Sequence, residues 1–88
     1  MRTLTAEREV EVADELGLHA RPAAEFAKAA ARFSADVRVA KGEREVDATS
    51  VLLVLTLDVR QGDVVRLRAS GPEATAAVEE LARLVGSP

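Results

Sequence analysis

The sequence predicts an α+β fold: an open-faced two-layer β-sandwich, with a four-stranded antiparallel sheet and three helices on one face, in the order β-α-β-β-α-β-α. Three observations carry this. Segments that alternate apolar and polar residues with period two are interleaved with segments of helical spacing. Each alternating segment has one polar and one apolar face, which suits an antiparallel sheet covered on a single side. The 88 residues leave room for one compact core and show no repeat, low-complexity run or linker, so 1–88 is read as a single domain.

Taken in order, "REVEVAD" (8–14) sets Val10 and Val12 against Glu9 and Glu11 and reads as a half-buried strand. "ARPAAEFAKAAARF" (20–33) places Ala23, Phe26, Ala27, Ala30 and Phe33 along one face of an amphipathic helix. "DVRVAKGEREVDA" (36–48) holds two short alternating runs around Lys41-Gly42, a hairpin signal. "TSVLLVLTLD" (49–58) is rich in β-branched residues but lacks alternation. With Thr49-Ser50 suited to an N-cap, it reads as a short buried helix.

"DVVRLRAS" (63–70) alternates again, Val65, Leu67 and Ala69 on one face, Arg66 and Arg68 on the other. "GPEATAAVEELARLVG" (71–86) opens with Pro and Glu, as a first helical turn does, and closes with Gly. Ala74, Ala77, Val78, Leu81 and Val85 form its apolar stripe.

Composition narrows the function. Hydrophobic residues make up 48%, much of it Ala and Val, with two Phe and no other aromatics, so the core is fine-grained. Twelve Lys and Arg against fifteen Asp and Glu give a net charge of -3. That opposes nucleic-acid binding, which needs a basic face. With no cysteine, disulfides, thiolate metal sites and cysteine nucleophiles are excluded. No signal peptide is visible, and "VLLVL" is too short to span a bilayer. A soluble cytoplasmic protein without direct membrane insertion is expected.

The one histidine lies in "ELGLHARPAAEF" (15–26). Gly17 permits a tight turn between strand and helix. His19 then falls at or beside the N-cap, with Ala20 and Arg21 in the first turn, where Pro22 is tolerated. The amides of Ala20 and Arg21 point outward and form an anion site reinforced by the helix dipole. A neutral imidazole there is a nucleophile, and the amides and the planar Arg21 fork match the oxygens of a phosphoryl group. The residues also admit a plainer role, since a histidine before a helix is commonly a cap or a surface residue. A metal site lacks a second His or Cys, and no Ser, His and acid arrangement suggests hydrolysis. No metal or other cofactor is expected.

"LGLHARPAAEFAKAA" resembles the active-site segment of the HPr family, the histidine-containing phosphocarriers of the bacterial phosphoenolpyruvate-dependent phosphotransferase system. The resemblance extends over nearly the whole chain, through "VDATSVLLVLTL" and "QGDVVRLRASG". It implies that His19 is phosphorylated at Nδ1 and that Arg21 steadies the phosphoryl group. It also implies that Ser50 occupies the position phosphorylated by a dedicated HPr kinase/phosphorylase in many bacteria, which is compatible with an N-cap. The implied partners are Enzyme I as donor and IIA domains of sugar permeases as acceptors, in a sugar or a nitrogen-type regulatory branch. The carrier itself would be a monomer that converts no small molecule. A split-βαβ interaction module in which His19 merely caps a helix is the competing class.

The chain also departs from the family pattern. Leu52 and Leu53 stand where Met or Phe, then Gly or Lys, are frequent; Thr49 stands at a common Lys position; Asp58 stands at a frequent Gly position. None of the four is expected to touch His19, so they bear on recognition of Ser50 and on any regulator partner. Docking would use an exposed apolar patch on the first and short helices. Ala20, Ala24, Val51, Leu52 and Leu55 are the candidates, Leu52 being the one best suited to exposure, while Val51 and Leu55 equally suit the core. Lys28 and Arg21 would add positive charge toward acidic partners.

Overall fold

The computed structural model describes residues 4–86. The elements are β1 (Thr5–Glu11), α1 (Ala20–Ala31), β2 (Asp36–Lys41), β3 (Arg44–Asp47), α2 (Val51–Thr56), β4 (Val64–Ser70) and α3 (Ala74–Gly86). The four strands form one antiparallel sheet in the order β1-β4-β2-β3. α3 lies across β1, β4 and β2, α1 lies against α3 and α2, and α2 reaches β3. This is the expected open-faced sandwich.

The core is built from the residues that the periodicity selects. Val65, Leu67 and Ala69 of β4 and Val37 and Val39 of β2 are fully buried beneath Ala23, Phe26 and Ala30 of α1. Ala74, Ala77, Val78, Leu81 and Val85 of α3 complete it. The many alanines keep the layers thin, and Phe26 is the largest fully buried side chain. Arg68 reaches across the open face to Glu45 at 2.6 Å.

Several expectations shift at their edges. β1 begins at Thr5 and ends at Glu11, rather than running from 8 to 14. The polar start of the strand is held by its ladder to β4, with Thr5 opposite Ser70. Beyond Glu11 the chain turns, the Asp14 carboxylate accepting from the Leu16 amide. α1 stops at Ala31, and Phe33 folds back against the core from beyond the helix. The hairpin turns on Gly42 and Glu43, since Lys41 already pairs with Arg44. The short helix forms where expected but is not a buried one. Val54 is its one fully buried residue, while Val51, Leu52 and Leu53 are exposed.

Candidate functional site

The segment 12–19 is zipped to the α2–β4 loop. Val12 N donates to Asp63 O at 2.8 Å, Gly62 N to Val12 O at 2.8 Å and Leu18 N to Val59 O at 3.0 Å. The Gln61 side chain donates to Ala13 O at 3.0 Å. Gly17, at φ +63, is packed so closely that an added Cβ would lie 2.2 Å from Val59 O. Glycine is therefore required both by conformation and by space. This join fixes the point at which His19 leaves the turn.

His19 is the N-cap residue of α1, extended at φ -124 and ψ 160, and its side chain makes no capping hydrogen bond. The capping role open to it from sequence is thus not one its imidazole performs. The ring is 38% exposed, partly wedged and partly open to a reactant. Ala20 follows at φ 49, a left-handed conformation for a non-glycine residue. Arg21 is exposed in the first turn and forms no ion pair among the described residues. The first-turn amides of Ala20 and Arg21 have no preceding helical carbonyl to bond, as any helix start dictates. They open a helix of twelve residues, so the positive end of the dipole faces outward beside His19.

One contact contradicts the sequence reading. Asp58, expected not to touch His19, places Oδ1 at 3.2 Å from His19 Nε2. Its chain position explains why. Asp58 comes two residues after the end of α2 and immediately before the Val59 carbonyl that holds Leu18. It adopts φ 50, a conformation otherwise suited to the Gly frequent there. Two basic side chains hold it. Arg60 Nη2 donates to Oδ2 at 3.1 Å, and Lys41 Nζ donates to its main-chain oxygen at 2.7 Å. Lys41 also pairs with Asp63 at 2.9 Å, and Asp63 accepts from the Arg60 amide at 2.9 Å.

The Arg60 hydrogen bond and charge hold the Asp58 carboxyl below the usual aspartate range, with His19 and Lys41 adding to the effect. The Arg60 amide and Lys41 do the same for Asp63. The signals for this cluster in sequence were the Asp at a frequent Gly position and the charged loop Arg60 to Asp63.

The other candidates separate. Ser50 is the N-cap of α2, its hydroxyl accepting from Leu53 N at 3.2 Å. The preceding turn is held by Asp47, which accepts from both the amide and the hydroxyl of Thr49. Ala20, Ala24 and Lys28 are exposed along one face of α1. Leu52 is 76% exposed and Val51 37%, while Leu55 packs partly into the core. Leu53, at 41%, and Leu16, at 56%, add apolar surface that the sequence reading did not select. Among the described residues no group of three His, Cys, Asp or Glu is placed to hold a metal ion, and no helix is long and apolar enough to cross a membrane.

Comparison with known proteins agrees with this architecture. The family described as "PTS HPr component phosphorylation site" matches residues 6–87. The phosphocarrier protein HPr of Vibrio cholerae is 43% identical over 90% of this chain and 93% of its own. The phosphocarrier protein NPr of Shewanella violacea is 38% identical over 90% and 87%. Among solved structures, an HPr from Thermoanaerobacter tengcongensis superposes with a TM-score of 0.90 at 39% identity, covering 93% of this chain and 92% of that one. An HPr dimer from the same organism gives 0.64 at 40% identity, over 82% and 86%. With its one histidine at the start of α1 and the whole sandwich shared with these relatives, the chain belongs to the HPr family of phosphocarriers of the phosphotransferase system.

Proposed function

We propose that His19 accepts a phosphoryl group at Nδ1 from phosphorylated Enzyme I and passes it to the IIA domain of a sugar permease. The observation that carries this reading is a half-exposed imidazole at the positive end of α1, with free first-turn amides and Arg21 beside it. In the transfer, the Nδ1 lone pair forms a bond to phosphorus as the donor–phosphorus bond breaks, and the donor atom keeps the electron pair. The equatorial oxygens fall to the Ala20 and Arg21 amides and the Arg21 guanidinium. The second transfer reverses these steps toward the acceptor.

The surface around the site supports brief docking. Ala20, Ala24, Val51 and Leu52 offer apolar area, with Leu55 contributing its exposed edge. Lys28 stands in the last turn of α1, and with Arg21 it steers the approach of acidic partners. The carrier acts in the cytoplasm as a monomer, which sedimentation tests. Ser50 is the acceptor for an HPr kinase/phosphorylase where one is present. The likeness to an NPr supports a second reading, a regulatory relay with a different IIA acceptor. Transfer assays against both kinds of IIA domain distinguish the two.

The decisive experiment is incubation with Enzyme I and phosphoenolpyruvate, followed by mass spectrometry. One phosphoryl group is expected, labile in acid and stable in alkali, as a phosphoramidate is. His19→Ala should abolish it and keep the fold. Labelling that persists in His19→Ala rejects the assignment.

A further inference from the structure

We infer that Asp58 is a positioning residue for His19, keeping the ring proton on Nε2 so that the Nδ1 lone pair is the one available to phosphorus. This inference rests on His19 being the phosphoryl acceptor. The geometry is specific to this chain's aspartate, since a glycine has no carboxylate to offer.

Asp58 Oδ1 lies 3.2 Å from Nε2. Of the two neutral tautomers, one puts a proton on the nitrogen 3.2 Å from that oxygen and the other puts a lone pair there. A carboxylate favours the first and repels the second. The carboxylate is also anchored. Arg60 holds Oδ2 at 3.1 Å, and Lys41 holds the main-chain oxygen at 2.7 Å. These contacts retain a left-handed aspartate, φ 50, at the one place where it meets the histidine. A backbone conformation unfavourable for the residue, maintained by its neighbours beside a reactive group, is the kind of strain that accompanies function.

Its effect continues through the reaction. When Nδ1 bonds to phosphorus, the ring keeps its proton on Nε2 and acquires positive charge. The exposed carboxylate at 3.2 Å partly balances that charge through a solvent-screened contact. The benefit is greatest in the transition state and the phosphorylated product.

The test uses a small donor, so that docking plays no part. Potassium phosphoramidate phosphorylates imidazole with release of ammonia, which leaves with the electron pair of the broken P–N bond and takes a proton from water. Wild type, Asp58→Gly and Asp58→Asn are compared for initial rate, melting temperature and His19 tautomer by 15N NMR at alkaline pH. Asp58→Gly should react about tenfold more slowly, gain Nδ1–H tautomer, and melt no lower, because glycine's ease at φ 50 offsets the lost exposed pair with Arg60. Asp58→Asn, which keeps an oxygen acceptor at the same place but no charge, should keep part of the tautomer preference and give an intermediate rate.

A glycine variant within twofold of wild type, or one whose slower rate comes with a lower melting temperature, overturns the inference. If wild type is not phosphorylated on His19 at all, the carrier reading itself fails. The tautomer ratio then decides the pairing alone: a shift in Asp58→Gly supports it, and no shift rejects it.

Discussion

Ala20 separates an extended His19 from a helical Arg21 with a left-handed φ of 49. For an alanine this costs about 1–2 kcal/mol. The turn places the imidazole and the first helical amides at a common edge, and Arg21 adds charge there without being part of the packing. Because it is exposed and unpaired among the described residues, Arg21→Ala should change stability by less than about 0.5 kcal/mol. Hydrogen bonds to a charged group are worth about 1.5–3 kcal/mol, so transfer should slow by about 10- to 100-fold. Stopped-flow rates to a IIA acceptor beside a thermal melt check both halves; unchanged rates reject the role. At this scale the sequence revealed His19 and Arg21 through their own spacing. It hid Asp58, thirty-nine positions away from His19, because the contact depends on how two loops are joined by main-chain bonds.

α2 connects the two candidate phosphorylation positions. Ser50 caps its N-terminus, and Asp58 beside His19 follows its C-terminus. Eight residues at helical rise put roughly 12 Å between them, about one and a half Debye lengths at physiological salt. Charge on Ser50 therefore acts on a docking protein more than on the imidazole. Ser50→Ala should lower stability by about 0.5–2 kcal/mol through the lost cap and leave phosphorylation nearly normal. Ser50→Asp should retain the helix and slow phosphorylation by Enzyme I. Circular dichroism and transfer rates on both variants check this, and equal rates reject an electrostatic switch.

The cap at Ser50 was legible because its chemistry is local. The short helix as a whole was read as buried, although Leu52 was singled out for exposure, because an apolar run does not say which of its sides the sheet will cover. α1 and α3 were legible for the opposite reason, since their stripes alternate with charge and only one face can turn inward.

Over the whole molecule, three aspartates couple folding to acid. Thr49's amide and hydroxyl hold the Asp47 carboxyl below its ordinary value, Arg60 does so for Asp58, and the Arg60 amide with Lys41 does so for Asp63. A carboxyl depressed by folding contributes stability in full above its unfolded value of about 3.9, and loses it as pH falls through the folded value. The melting temperature should therefore hold from neutrality to about pH 5 and fall below about pH 4. Asp63→Asn should lower the neutral melting temperature and flatten the acid decline; an unchanged acid limb rejects this coupling. The strand order has a different consequence, one that concerns time. β4, the last strand in the chain, lies between β1 and β2. During synthesis, β1 is made first and waits for residues 64–70 before its ladder can form. Meanwhile it is an unpaired strand, the kind of edge through which chains aggregate. Glu7, Glu9 and Glu11, solvent-facing in the finished sheet, give the waiting strand a charge that repels another copy of itself.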